Sequence, residues 1–178
     1  MGITGASGVG LGVRLVKALA ALGTVHVALT AQAQVIASRE GVAVSFPSGV
    51  KMWPLDALDA PVSSGSFRLR GTVIIPCSMG TLGRIASGIS STLIERAADV
   101  ALKEKWPLVL VPRETPLNLV HLENMTFLAR AGAIILPPVL TYYHGPRCVE
   151  DMENFILGKV MDCLGLNHSL FRRWGDET

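Results

Sequence analysis

The sequence predicts an α/β fold, a doubly wound parallel sheet in a single domain spanning 1–178. Three observations predict it. Strand-like apolar runs alternate with helix-like segments along the chain. A glycine-rich loop, "GASGVGLG", stands between the first run and the first helix. Later runs, "GTVIIPCS" and "PLVLVP", are continuously apolar, as strands covered on both faces must be. Right-handed crossovers would then place the ligand at the carboxyl ends of the strands.

In order, "MGIT" is a first strand, short against the five or so residues usual for a strand. Either the strand is short or the start is assigned late. Residues 11–22 are a helix, with Leu11, Leu15, Leu19 and Leu22 on one stripe. "TVHVALT" is a strand and "AQAQVIASRE" a second helix. Residues 41–66 are rich in Pro, Gly and Ser, and carry at most one short strand, at Val42–Ser45. After "GTVIIPCS", helices follow at about 80–88 and 91–104. "PLVLVP" leads to a helix from about Pro116 to Ala131, with Thr115 as its N-cap and Pro116 at its first position. "AIILPP" is the last core strand. A helix over 149–164 and a tail, "SLFRRWGDET", close the chain.

Formal net charge is only +2, too weak to indicate a nucleic acid partner. Mean hydropathy is +0.43, yet no apolar run approaches the ~18 residues of a membrane span. Surplus apolar surface on so few charges predicts a homo-oligomer. Three unpaired-looking cysteines, Cys77, Cys148 and Cys163, with no secretory leader, predict a reduced, cytoplasmic protein. No metal-ligand cluster is visible.

The glycine loop opens a helix whose free N–H groups favour an anion, and Ser7 adds a hydroxyl. Gly8 and Gly10 suit a dinucleotide loop, but Val13 stands where its third glycine belongs. The second strand ends in Thr30 and not in the acid that binds a ribose hydroxyl. A mononucleotide such as FMN is therefore favoured over NAD; a ligand-free glycine turn is the alternative. "IPCSMGTLG" repeats the arrangement, and Ser78, Gly80 and Thr81 either line a flavin or simply cap a helix. Arg96, Asp99 and Lys103 share a helical stripe, with Asp99 and Lys103 paired at i,i+4, either as a solvated face or as a cationic wall for phosphates. Arg113 and Glu114 fall between a strand end and a helix start, where Arg can hold a phosphate in its fork and Glu can move a proton. A rim ion pair between them is the bland alternative. Tyr143 and His144 precede a Gly-Pro turn. Lys159 shares an apolar helix face with Met152 and Phe155, snorkelling or pointing into a pocket. His121, at helical spacing from Met125 and Leu128, reads as structural.

Taken together, "GITGASG", "SGSF", "PCSMGTL", "LIERAADVALKEKWPLVLVPRETPLNLVHLENM", "GAIILPP", "YYHGP" and "RRWG" resemble the flavin prenyltransferase family, long labelled aromatic acid decarboxylases. The resemblance spans nearly the whole chain and is weakest over 41–62. It implies a Rossmann-like flavoprotein fold in a homododecamer built of trimers. It also implies a metal-independent reaction that joins a dimethylallyl group from dimethylallyl monophosphate to N5 and C6 of reduced FMN. The product, prenylated FMN, would serve a UbiD-type decarboxylase. By the same resemblance Gly5, Ala6 and Ser7 form the FMN loop, and Thr30, Ser78, Met79, Gly80, Thr81, Arg96 and Arg113 contact FMN. Lys103, Arg113, Tyr143 and Lys159 would cradle the isoprenoid phosphate. Ser7, Glu40 and Glu114 would be catalytic, Glu114 near the flavin N5. Lys159 stands where many members carry Arg, which keeps the charge and loses the fork. The rival expectations are an FMN-dependent decarboxylase, of aromatic acids or cysteine-derived substrates, and a non-catalytic flavin carrier.

Overall fold

A computed structural model of the chain describes residues 1–175. Its six strands are β1 (Gly2–Ile3), β2 (Val25–Leu29), β3 (Val50–Trp53), β4 (Thr72–Cys77), β5 (Leu108–Pro112) and β6 (Ile134–Ile135). Its six α-helices are α1 (Val9–Ala20), α2 (Ala31–Arg39), α3 (Met79–Ala86), α4 (Leu93–Lys103), α5 (Leu119–Arg130) and α6 (Val149–Cys163). The strands form one sheet in the order β3-β2-β1-β4-β5-β6, and every pairing is parallel. The predicted doubly wound fold is the one observed.

Alternate side chains of the central strands divide between two cores. Val73, Ile75, Val109 and Val111 pack against α1 and α6, and Ile3, Val27 and Leu29 continue that layer under α1 and α2. Ile74, Leu108 and Leu110 point the other way, into a core closed by α3, α4 and α5. Winding runs outward from β1 through α1 and α2, then outward from β4 through α3, α4 and α5. The chain reverses direction between β1 and β4, and the carboxyl ends of these two strands flank the crevice where such sheets take ligands.

Three elements differ from the sequence expectation. Helix α1 starts at Val9 because Gly8, at φ +94°, ends the loop in a left-handed turn. It stops at Ala20, so Leu22 lies outside the stripe and is exposed. No strand forms at 42–45. Val42, Val44 and Phe46 satisfy the alternating pattern by packing on the α1–α2 layer, and the third strand comes later, at Val50–Trp53. Helix α5 begins at Leu119, capped by Asn118, whose side chain accepts the His121 N–H at 2.9 Å. Asn118 with His121 forms a reciprocal cap, so Thr115 and Pro116 belong to the loop before it. This confirms the structural role of His121, although at the helix start and not in the core.

Candidate active site at the switch point

The loop after β1 holds its shape through an acid that lies far away in sequence. The Glu40 carboxylate, just past α2, accepts the Ser7 hydroxyl at 2.6 Å and the N–H groups of Gly8 at 2.8 Å and Val9 at 3.1 Å. The helix start that was expected to face a ligand anion is thus held by an internal carboxylate, to which the Ser7 hydroxyl also donates. At Gly5 a Cβ would come 2.5 Å from the Gln32 Cβ. The backbone of this loop must therefore stay bare. Thr30 caps α2, accepting the Ala33 N–H at 3.1 Å.

The second loop leans on the first. Thr4 is fully buried; its hydroxyl donates to Pro76 O at 2.9 Å and accepts the Ser78 N–H at 2.7 Å, tying the ends of β1 and β4 together. Ser78 caps α3, accepting the Thr81 N–H at 3.3 Å, and its hydroxyl lies 3.0 Å from that of Thr81. Behind Thr81, Arg84 is ion-paired with Glu95 of α4, which also accepts from Ser91 and Thr92. Burial pushes the Glu95 carboxyl up, but these hydrogen bonds outweigh it and hold the group below the ordinary glutamate range. Gly80 is exposed at the helix start, and Met79 is half-buried against the core beneath it.

Arg113 follows β5, its N–H donating to Cys77 O at 3.2 Å, so the corner is fixed against the end of β4. Glu114 turns back on its own loop, accepting the Thr115 N–H at 3.0 Å. Both residues are exposed, and Arg113 is in no ion pair with Glu114 or any other described acid. A rim ion pair does not explain this dipeptide.

Gly5 to Ser7, Thr30, Glu40, Ser78 to Thr81, Arg113 and Glu114 all gather at the carboxyl edge. The remaining expected residues do not join them within one chain. Arg96 and Lys103 lie on α4, on one face of the sheet. Arg96 pairs with Asp99 and donates to Ser63 O, and Lys103 pairs with Glu104 at 3.0 Å, so the expected Asp99–Lys103 pair is not formed. Tyr143 and Lys159 are on the other face, with α6. Tyr143 meets Phe155 edge-on at 5.8 Å, and Lys159 reaches Asp162 at 3.5 Å from an exposed position. Lys159 is therefore held in an exposed ion pair on α6.

Sequence reasoning missed Thr4, the Arg84–Glu95 pair and Asp162. Asp162 accepts both arms of Arg173 at 2.7 and 3.2 Å and lies 3.1 Å from His168, which pins the tail over α6 beside Lys159. The Arg173 hydrogen bonds, helped by His168, hold its carboxyl down to about 2. Only Thr92-x-x-Glu95, a capping-box spacing, gave any signal for this group. Among the described residues no cluster of metal-binding side chains occurs and no helix is long and apolar enough to cross a membrane.

Residues 1–161 match the family described as Flavoprotein. The flavin prenyltransferase UbiX of Halalkalibacterium halodurans is 46% identical over 192 residues, covering 99% of this chain and 93% of that protein. The protein of that name from Methanothermobacter thermautotrophicus is 47% identical over 178 residues, covering 98% and 93%. Among solved structures, AnUbiX in complex with FMN and dimethylallyl pyrophosphate superposes with a TM-score of 0.92 at 39% identity, over 99% of this chain and 96% of that one. A dodecameric FMN-dependent Ubix-like decarboxylase from Escherichia coli O157:H7 gives a TM-score of 0.88 at 39% identity, over 97% and 96%.

Proposed function

The chain belongs to the Flavoprotein family, among the flavin prenyltransferases, and from that premise we propose how its own residues carry out the transfer of a dimethylallyl group to reduced FMN. The observation that carries the assignment of the site is the meeting, at one crevice, of a bare-backbone loop, two hydroxyl-capped helix starts and an Arg113 guanidinium with no internal acid. These fit a flavin mononucleotide: hydroxyls and an arginine for its phosphate, bare backbone for close approach of its ring.

When bound, reduced flavin supplies the nucleophilic N5 and C6. The chain's residues do the rest. Gly5 to Ser7 and Ser78 to Thr81 would flank the ring, and Thr30 with Arg113, joined by Arg96 from another copy of the chain, would hold the FMN phosphate. The C–O bond to the donor phosphate breaks with the electron pair leaving on phosphate, where Arg113, Lys103, Tyr143 and Lys159 neutralise the growing charge. Glu114 would accept the proton given up at N5; the bond at C6 requires one proton added to the prenyl double bond and one removed from C6, and Glu114 with the Ser7–Glu40 pair would carry these.

Lys103 and Lys159 lie on opposite faces of the sheet, so the phosphate cradle is shared between copies of the chain in a homo-oligomer, a dodecamer by likeness to the Escherichia coli protein. The product is taken up by a decarboxylase of the UbiD type. The cytoplasmic location rests on three free cysteines, Cys77 among them, whose burial pushes its thiol up to about 12.

The test is anaerobic incubation of the protein with reduced FMN and dimethylallyl monophosphate, then mass spectrometry of the flavin, with the pyrophosphate run in parallel. Flavin heavier by one prenyl unit is the expected result. Unmodified flavin with both donors favours a carrier, and carbon dioxide released from a phenolic acid by the protein alone favours a decarboxylase.

A further inference from the structure

Arg84 has no part in the transfer chemistry described above, yet its guanidinium lies against the second loop of the crevice. It curls back along α3 to the first turn. Its Nη2 donates to Thr81 Oγ1 at 3.3 Å, and a Cβ on Gly80 would come 3.5 Å from its Nη1. A cation over a helix start works against the helix dipole. Glu95 keeps it there, pairing with Arg84 Nε through a side chain that is wholly buried. The other Glu95 oxygen accepts the Ser91 N–H at 3.0 Å, the Ser91 hydroxyl at 2.8 Å and the Thr92 N–H at 3.0 Å, so the carboxylate is fixed from both ends.

This brace gives each hydroxyl proton of the loop a direction. A guanidinium has no acceptor, so the Thr81 hydroxyl accepts where it meets Arg84. Its own proton then goes to Ser78 Oγ, 3.0 Å away. Ser78 Oγ also accepts the Thr81 N–H at 3.3 Å, which occupies both of its lone pairs. The Ser78 proton is left pointing away from α3. Nor can the serine turn: its N–H is held by Thr4 Oγ1 at 2.7 Å, and its carbonyl accepts the Leu82 N–H at 2.9 Å. Ser78 follows β4 at the carboxyl edge of the sheet, so the proton is directed to the crevice. Without Arg84, Thr81 and Ser78 could exchange donor and acceptor roles, and Ser78 would present a donor only part of the time. Arg84 and Glu95 cancel in charge, so the pair works through hydrogen direction and not through a net field.

Resting on the flavin reading of this crevice, we propose that Arg84, braced by Glu95, is a positioning residue: it acts through Thr81 to fix the Ser78 hydroxyl as a donor to bound flavin, and so makes the site favour the reduced form. Reduction adds negative charge to the pyrimidine side of a flavin ring, whose oxygens then accept hydrogen bonds more strongly. The N5 side is left to Glu114.

The test is the ratio of the dissociation constants of oxidised and reduced FMN. It is titrated anaerobically for the native protein, Arg84→Met, Thr81→Val and the double variant. Thr81→Val removes the relaying hydroxyl and leaves both charges in place. Each single variant is expected to lower the ratio, oxidised over reduced, about fivefold, and the double variant to lower it no further. Arg84→Met leaves a buried carboxylate without its ion partner. If that variant does not fold, Arg84→Met with Glu95→Gln takes its place, because glutamine keeps the capping box. An unchanged ratio in Thr81→Val, or losses that add in the double variant, would overturn the proposal, since Arg84 would then act by charge or not at all. Those results leave the flavin site standing. A native protein that binds neither form of FMN would overturn the proposal and the flavin reading together.

Discussion

At the scale of residues, two acids behave in opposite ways. Both are exposed, but Glu40 is fully committed, with three donors on its carboxylate, whereas Glu114 accepts a single backbone N–H. That freedom suits Glu114 to take a proton from the substrate directly, whereas Glu40 acts only through the Ser7 hydroxyl that it holds. Glu114→Gln should keep flavin binding and lower turnover by roughly 10²-fold or more, read as bound FMN by absorbance and prenylated FMN by mass. Loss of flavin from this variant would make Glu114 a binding residue and not a proton acceptor. Asp162 gives a pH signature. Its folded pKa, about 2, lies below the ordinary 3.8, so its contribution is complete above pH 3.8 and lost as pH falls through 2. The contribution is at most about 2 kcal/mol. Urea midpoints of the native protein should therefore fall more steeply between about pH 4 and 2 than those of Asp162→Asn. Parallel curves would remove Asp162 from the tail's anchorage.

At the scale of elements, capping explains where helices begin, and close packing explains why small residues sit where they do. Gly12 is the clearest case. A Cβ there would come 2.4 Å from Ile75 O, a backbone atom of β4 that cannot step aside. Gly12→Ala should push α1 off the sheet and destabilise by about 2 kcal/mol, measured by thermal unfolding. An unchanged Tm would mean that α1 shifts freely. Most elements were legible from periodicity: the apolar runs of β4 and β5 and the stripe of α1 as far as Leu19 lie where expected. The failures share one cause. Val42, Val44 and Phe46 alternate like a strand but pack against helices with no partner strand, and Thr115-Pro116 imitates a helix start that Asn118 provides. Pattern reports which side chains are buried; it does not report what covers them.

At the scale of the whole molecule, the proposed phosphate cradle calls for association, because Lys103 and Lys159 lie on opposite faces of one chain. Leu119, Val120 and Phe127 of α5 are each more than half exposed, a large apolar area beside the Arg113–Glu114 corner. Sedimentation should show a species larger than a monomer. Leu119→Asp with Val120→Asp should reduce its mass and, with it, prenyl transfer. Full activity in a dispersed double variant would show that one copy holds a complete site.

The sequence alone determined the fold class and the family, because apolar periodicity and local motifs are written in neighbouring residues. It marked Ser7, Ser78, Thr81, Arg113 and Glu114 because each stands beside a turn or a helix start. Only the tertiary structure decided that Glu40 serves Ser7, that Thr4 ties β1 to β4, and that Asp162 gathers Arg173 and His168. It also set Lys103 and Lys159 on opposite faces. Those relations join residues far apart in the chain, and it is the winding of the sheet, not their spacing in sequence, that sets which side chains meet.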